Sequence, residues 1–284
     1  MPSDELNAIL KGDIRKFFIV RVEEMYRHVH RPVPASRSTI HSCLYITEGE
    51  ASMKIGSELF TIHPNELLFV PAGQVFSFQE NDVNKGYICG FHTDFLVGIF
   101  GNGLLKEFDF LRVWGNPMIQ PDLDSARFIQ QILDRLLFDY SRSGLQNSEL
   151  LQSYLLALLC EVNRVYRPAS SDNPGSSVAI TNRFRELLFT MISTHHRVSE
   201  YALLLNISPN HLNKTVKAIT GKSPTKWIDE TILLESKVLL SQTTLSISEI
   251  ASEVGLDDSS YFTRLFKKYE KQTPSEFRRM IEKS

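Results

Sequence analysis

The stretch Ile247–Phe277, ISEIASEVGLDDSSYFTRLFKKYEKQTPSEF, decides how this chain is organised. Ser246 and Glu249 have the spacing of a capping box, in which each side chain accepts a hydrogen bond from the other residue's free backbone amide. Gly255 can adopt the positive φ that ends a helix. One residue of the Asp257–Asp258 pair is then placed to cap a second helix. The sequence therefore predicts a helix, a tight turn and a second helix.

The second predicted helix has two unlike sides. Apolar residues recur at the spacing of one buried face, namely Phe262, Leu265, Phe266 and Tyr269. The other side carries small polar groups followed by cations, namely Ser259, Ser260, Thr263, Arg264, Lys267 and Lys268. A helix that is packed on its back and polar on its front suits the major groove of DNA.

The same pattern occurs a second time, further upstream. Val198–Trp227 aligns with Ile247–Phe277 at an offset of 49 before the turn and 50 after it. Asn206 takes the place of Gly255, and Asn is the next most tolerant residue at positive φ. Both copies close on a Ser/Thr cap followed by Pro at the first helical position, where the missing amide costs nothing. The sequence therefore predicts two helix-turn-helix units in one chain.

A single long helix, from Pro224 to about Ser241, is predicted between the two units. At about 1.5 Å per residue it spans on the order of 25 Å. With the half-widths of the flanking units added, the two recognition helices come to lie roughly 34 Å apart, which is one turn of DNA. We therefore expect both helices to enter successive major grooves on one face of the duplex.

The N-terminal part, from about residue 14 to residue 92, carries short apolar or alternating runs separated by turn residues. These runs are FFIVRVEEMY, TIHSCLYIT, ASMKI, ELFTI, ELLFV, QVFSF and GYICGFH. Their spacing predicts an antiparallel sandwich or barrel, and the segment around Pro32 and Pro34 is predicted to be a loop before its main run. Because a barrel encloses either a ligand or its own side chains, the sequence names no ligand-binding residue.

The order of residues from Gly49 to Gly73, with a strand ending in Pro-Ala-Gly, resembles the cupin jelly roll. Metal-binding cupins have a His-x-His pair and a Glu early, and a further His soon after this turn. Here the later position is about Phe76, the early strand offers only His41, and the His28–His30 pair has no Glu at the usual spacing. Without three or four convergent ligands, no metal or other cofactor is predicted.

Two amphipathic helices follow the predicted barrel. Asp122 or Asp124 is placed to cap SARFIQQILDRLLFDYSR, and Ser148 to cap ELLQSYLLALLCEVNRVYR. The short loop between them predicts an antiparallel hairpin. The second helix is apolar over more than one stripe, which fits either an intramolecular core or a homodimer seam formed by the hairpin at residues 124–166. The rest of the chain favours the dimer.

Arg167–Ser177, RPASSDNPGSS, is the clearest linker in the chain because it is rich in Ser and Pro and has no apolar periodicity. It divides an α+β chain into an N-terminal cupin-like domain with a helical hairpin (residues 1–166) and an all-α domain with two helix-turn-helix units (residues 178–284).

Charge is distributed unevenly between these parts. Residues 178–284 hold 15 Lys and Arg against 12 Asp and Glu, a net of +3, whereas residues 1–177 hold 16 against 21, a net of −5. The basic surplus lies on the half that carries the helix-turn-helix pattern. No run approaches the roughly 20 apolar residues that span a bilayer. The N-terminus has no signal-peptide pattern, and the isolated Cys43, Cys89 and Cys160 are expected to be reduced and buried, so a cytoplasmic location is predicted.

With both copies in view, Ile247–Phe277 resembles the signature of the AraC/XylS transcription regulators. The resemblance covers about the last hundred residues closely, and the N-terminal part is similar, more loosely, to that family's cupin-type effector and dimerisation domain. It implies a cytoplasmic bacterial regulator, most often an activator, that binds double-stranded promoter DNA, contacts RNA polymerase and responds to a small-molecule effector.

The resemblance also implies which side chains contact DNA. Base edges would be read by Asn210, Asn213 and Lys214 in the first unit and by Ser259, Ser260, Thr263 and Arg264 in the second. Lys217, Lys267 and Lys268 would lie nearer phosphates, where they position the protein without specifying sequence. The chain departs from the family pattern at Asn206, where Gly is commoner, and at Val216, where an aromatic residue is commoner.

Two other functional classes remain open from the sequence. One is a cupin-type enzyme, such as an isomerase or dioxygenase, fused to a DNA-binding module. The other is an N-terminal domain that only dimerises and binds no ligand. No Ser/His/Asp set, phosphate loop or paired carboxylates have the spacing that catalysis requires, and the His195–His196 pair is expected to be solvated.

Overall fold

The computed structural model describes residues 16–26, 33–37, 39–78, 84–100, 104–112, 116–166 and 176–283. Its buried apolar side chains form two separate cores. The first core is built from residues between Phe17 and Tyr166, and the second from residues between Phe184 and Phe266. The first contains antiparallel sheets and helices, whereas the second is entirely helical, which confirms the predicted α+β chain of two domains.

Among the residues that the structure describes, nine strands form two antiparallel sheets around the first core. In chain order they are β1 (Phe17–Arg21), β2 (Ser36–Arg37), β3 (His41–Gly49), β4 (Ala51–Ile55), β5 (Glu58–Ile62), β6 (Leu67–Val70), β7 (Val75–Phe78), β8 (Asn84–Phe91) and β9 (Met118–Ile119). One sheet has the order β1-β8-β3-β6-β9 and the other the order β2-β7-β4-β5. The alternating runs of the sequence therefore become strands, as predicted.

The first apolar run is only half strand, so the prediction of one continuous strand there is wrong. After β1 the chain forms a short helix, α1 (Val22–Tyr26). Its Glu23 carboxylate accepts a hydrogen bond from the backbone amide of Gly86, at 3.1 Å. A side chain thus satisfies an amide that a longer β1 would have paired. Strand β2, which pairs with β7 through Ser36 and Arg37, was predicted to be loop because two residues show no alternation.

The segment between β8 and β9 contains helix α2 (Thr93–Phe100) and two 3₁₀ turns, at Leu104–Glu107 and Asp109–Leu111. Phe110 of the second turn lies against Phe69 of β6, with ring centroids 4.7 Å apart. Phe95 of α2 stacks on Phe17 of β1, with ring centroids 5.0 Å apart, so these short elements pack against β1 at one end of the five-stranded sheet and against β6 near the other.

The helical hairpin is present as predicted, with α3 (Leu123–Ser143) and α4 (Ser148–Val165). Asp122 is the residue that caps α3, since its Oδ1 accepts from the Ser125 amide at 2.8 Å. Ser148 is the first residue of α4 and not its cap, and the preceding Asn147 makes no side-chain cap hydrogen bond. Helix α3 lies on the five-stranded sheet, where the Tyr45 hydroxyl donates to the Ala126 carbonyl at 3.3 Å.

Seven helices form the C-terminal domain among the described residues. They are α5 (Ser177–Met191), α6 (Val198–Leu204), α7 (Pro209–Thr220), α8 (Pro224–Gln242), α9 (Ile247–Glu253), α10 (Ser259–Glu270) and α11 (Pro274–Lys283). Of the predicted linker, residues 167–175 lie outside the described residues, and Ser176 and Ser177 form the cap and first residue of α5. The predicted long helix is α8.

The cysteines differ from the expectation at one position. Cys43 and Cys89 are buried, and burial raises the pKa of both thiols. Cys160 is exposed, so the expectation that it is buried is wrong. Leu158 and Leu159, which precede it on α4, are buried. Successive residues point in different directions around a helix, so Cys160 lies on the solvent side of α4. None of the helices that the structure describes is long and apolar enough to cross a membrane.

Candidate nucleic-acid interface

The first helix-turn-helix unit consists of α6 and α7. Asn206, in the turn, has φ 54°, so it occupies the left-handed conformation that the alignment predicts. Ser208 caps the second helix, with its hydroxyl accepting from the His211 amide at 3.2 Å. Leu212 and Val216 of α7 are fully buried. Valine therefore fills the position where an aromatic residue is commoner.

The second unit consists of α9 and α10 and has the predicted caps. The Ser246 amide donates to Glu249 at 2.7 Å, and the Glu249 amide donates to the Ser246 hydroxyl at 3.2 Å. These bonds hold the pKa of the Glu249 carboxyl below its usual value. At the second helix, Asp258 is the capping residue, since its carboxylate accepts from the Ser260 amide at 2.8 Å. The predicted apolar face is buried at Phe262, Leu265 and Phe266, and Tyr269 packs against it.

Gly255 has two independent reasons to be glycine. Its φ is 78°, and a Cβ at this position would lie 2.1 Å from the Ser193 carbonyl oxygen and 2.5 Å from the His196 ring. The same ring is 3.0 Å from the Val254 carbonyl, measured from Nε2. The expectation that this histidine is solvated is therefore wrong. The loop that precedes the first unit packs directly onto the turn of the second unit.

Helix α8 binds the end of the first recognition helix, α7. The Trp227 indole donates to the Thr220 hydroxyl at 3.0 Å. Just beyond α7, the Lys222 ammonium lies 2.9 Å from the Glu230 carboxylate. The ring of Trp227 is otherwise buried, so this end of α7 is fixed to α8 by both packing and hydrogen bonding.

Helix α8 also binds the end of the second recognition helix, α10. The Tyr269 hydroxyl donates to the Asp229 carboxylate at 2.8 Å. Burial, together with this hydrogen bond, raises the pKa of Tyr269 to about 12. The Lys237 ammonium lies 2.6 Å from the Glu270 carboxylate. Both recognition helices are thus attached to one connecting helix, which fixes their relative position.

The residues predicted to face DNA on α7 are mostly open to solvent. Asn210, Lys214 and Lys217 are exposed. Asn213 is half-buried, and its amide donates to the Pro209 carbonyl at 3.0 Å. Three of these four side chains are therefore free to reach a groove, whereas Asn213 has one amide N–H engaged within the helix and keeps the second N–H and its Oδ1 for a base.

On α10, Ser260, Arg264, Lys267 and Lys268 are exposed, whereas Ser259 and Thr263 are half-buried. The Thr263 hydroxyl donates to the Ser259 carbonyl at 2.9 Å. The Arg264 guanidinium is 71% exposed and lies 3.9 Å from Asp258, which is itself 63% exposed. Such an open ion pair is weak. Arg264 can therefore leave it for a guanine edge, which offers two acceptors in a plane.

Two further residues belong to this surface and were not predicted to contact DNA. His211 and Tyr261 are exposed at equivalent positions in the first turn of α7 and α10. The offset of 50 between the two units places them in register. The repeat itself could have shown that both recognition helices carry a ring at this position.

The metal-site candidates of the N-terminal domain have other partners. His41 is buried, its Nδ1 accepts from the Ala72 amide at 3.1 Å, and its ring stacks on Phe91. Burial, with a smaller contribution from His92, lowers the pKa of His41 to about 4. Phe76 contacts the Phe78 ring, and the His28–His30 pair lies outside the described residues. Among described residues no group of three His, Cys, Asp or Glu could hold a metal ion.

Comparison with known proteins agrees with this arrangement. Residues 21–159 match the family profile of the AraC-like ligand binding domain, and residues 201–280 match that of a helix-turn-helix domain. The chain is 27% identical over 243 residues to the Msm operon regulatory protein of Streptococcus mutans, with 84% of each chain covered.

Two further relatives are similar along most of their length. The raffinose operon transcriptional regulatory protein RafR of Pediococcus pentosaceus is 27% identical over 244 residues, with 84% of each chain covered. The arabinose operon regulatory protein of Salmonella typhimurium is 24% identical, with 81% of this chain and 80% of that chain covered.

The fold and the exposed recognition helices define a DNA-binding regulator of transcription with a separate ligand-binding domain. The chain belongs to the AraC family of transcription regulators.

Proposed function

We propose that this regulator activates transcription by placing α7 and α10 in successive major grooves of a promoter. The observation that carries the proposal is that two duplicated units, both fixed to α8, present exposed polar and cationic faces on their second helices. The working division is an effector and dimerisation domain at residues 1–166, a linker at 167–177 and a DNA-binding domain at 178–284. The chain acts in the cytoplasm, where bacterial promoters are.

Within this surface, we assign base reading to Asn210, Asn213 and Lys214 of α7 and to Ser259, Ser260, Thr263 and Arg264 of α10. Asn pairs bidentately with adenine, whereas Arg and Lys reach the guanine acceptors. Lys217, Lys267 and Lys268 contact phosphates, because cations flanking a recognition helix position it without reading sequence.

The test is a binding titration against a duplex that the full-length chain selects from a random-sequence pool. Lys214→Ala and Arg264→Ala should each weaken binding by about 1–3 kcal/mol and relax the preference at one base pair. Lys268→Ala, the matched control, should weaken binding to all sequences alike and reduce the salt slope by about one. Unchanged affinity in both of the first two variants would reject the assignment.

We propose a homodimer through the hairpin at residues 124–166. Phe128 and Phe138 on α3 are each 50% exposed, although neighbouring apolar residues are buried. The Arg135 guanidinium lies 5.6 Å from the Phe138 ring and 5.7 Å from the Tyr154 ring, so this surface joins both helices of the hairpin. Exposed aromatic rings beside Arg are typical of the centre of protein interfaces.

Sedimentation equilibrium tests the dimer. Phe138→Glu should shift the chain to monomer, because a carboxylate would be buried at the seam. The matched control is Leu59→Glu on β5, where leucine is 57% exposed on the other sheet. If Phe138→Glu and Leu59→Glu associate equally, the hairpin is not the dimer interface.

The matched ligand-binding profile supports a small-molecule effector for the N-terminal domain. The relatives named for the raffinose, arabinose and lactose operons make neutral sugars the first candidates. A ligand that binds only the folded chain must raise its unfolding midpoint, so thermal unfolding against a sugar panel is the screen. If no metabolite raises the midpoint, the N-terminal domain only dimerises.

Activation requires contact with RNA polymerase, which is the second protein partner we propose. Transcription with purified polymerase from the selected promoter, with and without the chain, decides the sign of regulation. A rise in transcript supports activation, and a fall shows a repressor.

A further inference from the structure

Two cysteines lie side by side on the sheet face that the helical hairpin covers. Cys43 of β3 and Cys89 of β8 are directly opposite each other in the antiparallel register. Tyr45, two residues after Cys43, donates to the Ala126 carbonyl of α3, so its face of β3 is the one that α3 covers. Because residues two apart, and residues directly opposite, share a face of the sheet, both thiols lie beneath the hairpin.

The cysteine pair is enclosed within the sheet. Its neighbours along and across the strands carry rings or branched aliphatic chains, namely Ile19, His41, Tyr45, Phe69, Tyr87 and Phe91. Cys43 and Cys89 are only 2% and 1% exposed. Among the residues that the structure describes, no third His, Cys, Asp or Glu completes a metal-binding group with them. A cation held here therefore has two protein ligands, both of them sulfur.

The spacing of the pair suits a bridging cation better than a disulfide. Directly opposite residues on antiparallel strands have Cβ atoms about 4.5–5.5 Å apart. A disulfide requires about 3.5–4.5 Å, so it would draw the two strands together. Two metal–sulfur bonds of about 2.3 Å, the length found at zinc thiolates, separate the sulfur atoms by up to about 4.6 Å. A cation with its two sulfur ligands in line therefore fits between these strands without moving them.

The type and number of ligands select the class of cation. Thiolate sulfur is a soft ligand that favours Cu(I), whereas Mg²⁺, Ca²⁺ and Mn²⁺ prefer oxygen. Zn²⁺ also binds thiolates, but its structural sites are almost always four-coordinate. Two sulfur ligands leave Zn²⁺ short of two partners in a site that excludes water. The pair therefore fits a monovalent cation that is content with two ligands, such as Cu(I) or its redox-inert substitute Ag(I).

A buried hydroxyl near the pair lacks an acceptor. Tyr140 of α3 is 3% exposed, and its hydroxyl has no hydrogen-bond partner in the described part of the chain. Burial, with a smaller contribution from the nearby Cys89, raises the pKa of Tyr140 to about 12, so the hydroxyl remains a donor at neutral pH. Two thiolates around a monovalent cation carry one net negative charge. That charge supplies the acceptor that the hydroxyl lacks.

We propose that Cys43 and Cys89 bind one soft monovalent cation of the Cu(I) class as thiolates, with the Tyr140 hydroxyl donating to the Cys89 sulfur. Binding displaces one proton from each thiol, and no electron is transferred. The cation bridges β3 and β8, and the hydrogen bond ties α3 to them. This metal site goes beyond the proposed small-molecule effector and does not depend on it.

A competition titration measures the site directly. The full-length chain carries Cys160→Ser, which removes the exposed thiol, and is reduced before Cu(I) is added with a chromogenic Cu(I) chelator as competitor. The chain should take one Cu(I), and X-ray absorption at the copper edge should show two sulfur neighbours. Cys43→Ser and Cys89→Ser, each in the same background, should lose this binding. No uptake by the reduced chain, or equal uptake by the two further variants, would overturn the proposal.

Tyr140→Phe separates a metal site from plain core packing. The metal-free variant should be at least as stable as its parent, because the hydroxyl has no partner to lose. Its Cu(I) affinity should fall by about tenfold or more, as is typical when a group that hydrogen-bonds a metal ligand is removed. The matched control is Tyr166→Phe, whose buried hydroxyl accepts from the Asn116 amide at 3.0 Å. That change should lower stability and leave Cu(I) affinity unchanged, and equal Cu(I) affinity in both variants would refute the Tyr140 hydrogen bond.

Thermal unfolding keeps the proposal testable even if a cysteine variant folds poorly. One equivalent of Ag(I) should raise the unfolding midpoint of the Cys160→Ser chain, because only the folded sheet holds the two thiols opposite each other. Zn²⁺ at the same concentration should not, since the site lacks two of its ligands. An unchanged midpoint with Ag(I), or an equal rise with Zn²⁺, would contradict a two-thiolate site. No DNA is present in these assays, so their failure leaves the proposed DNA-reading function untouched.

Discussion

The two helix-turn-helix units have matching sequences and are held in place differently. The first unit lies beside the interdomain contact, where Arg185 and Lys222 reach the N-terminal domain. The second is held through α8, by Tyr269 and Lys237, and through the His196 ring. A duplicated sequence therefore does not imply duplicated surroundings. The first unit can respond to the N-terminal domain directly, and the second through α8.

The turn residue shows the same difference at a single position. Asn206 and Gly255 both have positive φ, so the backbone requirement is shared. Only at Gly255 does a neighbouring loop approach so closely that a Cβ has no room. Asparagine can meet the first requirement but not the second, which explains why glycine is retained in one unit only.

The largest expected effect comes from making the two reading surfaces alike. Asn210→Ser, Asn213→Thr and Lys214→Arg together copy the equivalent residues of α10 onto α7. We expect the triple variant to lose about 2–6 kcal/mol on the native site, since each wrong base pair costs about 1–3 kcal/mol. It should select a direct repeat of two like half-sites, whereas the native chain should select two unlike halves one turn apart. Selection from a random pool, followed by sequencing, measures both. An unchanged consensus would show that these positions do not read bases.

Gly255→Ala should be the most damaging substitution for folding. A positive φ combined with a 2.1 Å contact to the Ser193 carbonyl should cost about 2–4 kcal/mol in free energy of unfolding. Asn206→Ala in the first unit should cost about 1–2 kcal/mol, from the left-handed backbone alone. Urea unfolding of both full-length variants measures the difference. Equal losses would mean that the His196 loop yields to a methyl group.

The ends of the recognition helices give a smaller contrast. Gly221 caps the C-terminus of α7, with φ 72°, and Lys271 caps that of α10, with φ 61°. Lys271→Gly should stabilise the chain by about 0.5–1 kcal/mol, because glycine adopts this conformation without the Cβ penalty. Gly221→Lys is the reverse change and should destabilise it by a similar amount. Thermal unfolding of the two variants measures these changes. Midpoint shifts of the same sign would contradict the expected advantage of glycine at these helix ends.

The smallest effect is expected at the exposed side of the first helices. Leu203 is 77% exposed on α6, whereas its equivalent on α9 is the polar Ser252. Leu203→Ser should change the free energy of unfolding by less than about 0.5 kcal/mol, because folding buries little of the Leu203 side chain. Chemical unfolding checks this value. A larger loss would show that Leu203 is buried against another surface in solution.

Local sequence chemistry was sufficient for the helix-turn-helix units. Helix starts and stops in these units depend on residues that are neighbours in the chain. The signals are a Ser and a Glu three residues apart, a Gly, an Asp and a Ser-Pro pair, and each lies at a helix end in the structure. Repetition at a fixed offset then aligned the two units. The strands of the N-terminal domain were also predictable, since alternation of apolar residues needs no knowledge of the partner strand.

Sequence reasoning failed where a distant residue supplies the partner. The prediction of a strand after Arg21 was wrong because the Glu23 carboxylate accepts from the Gly86 amide of β8, 63 residues away. His196 was expected in solvent because its acceptor, the Val254 carbonyl, belongs to the other unit. Cys160 was expected inside because a single apolar residue does not show which side of its helix faces out.

The two-domain α+β organisation, the paired recognition helices and the family could all be inferred from the order of residues, because each depends on periodicity, caps and repetition along the chain. The residues that join the domains could be identified only in the folded molecule. Arg37 and Glu235 are 198 residues apart, and nothing in either local pattern distinguishes them from other surface charges. Their pairing depends on how two separately formed cores pack together, which is a property of folded surfaces and not of neighbouring residues.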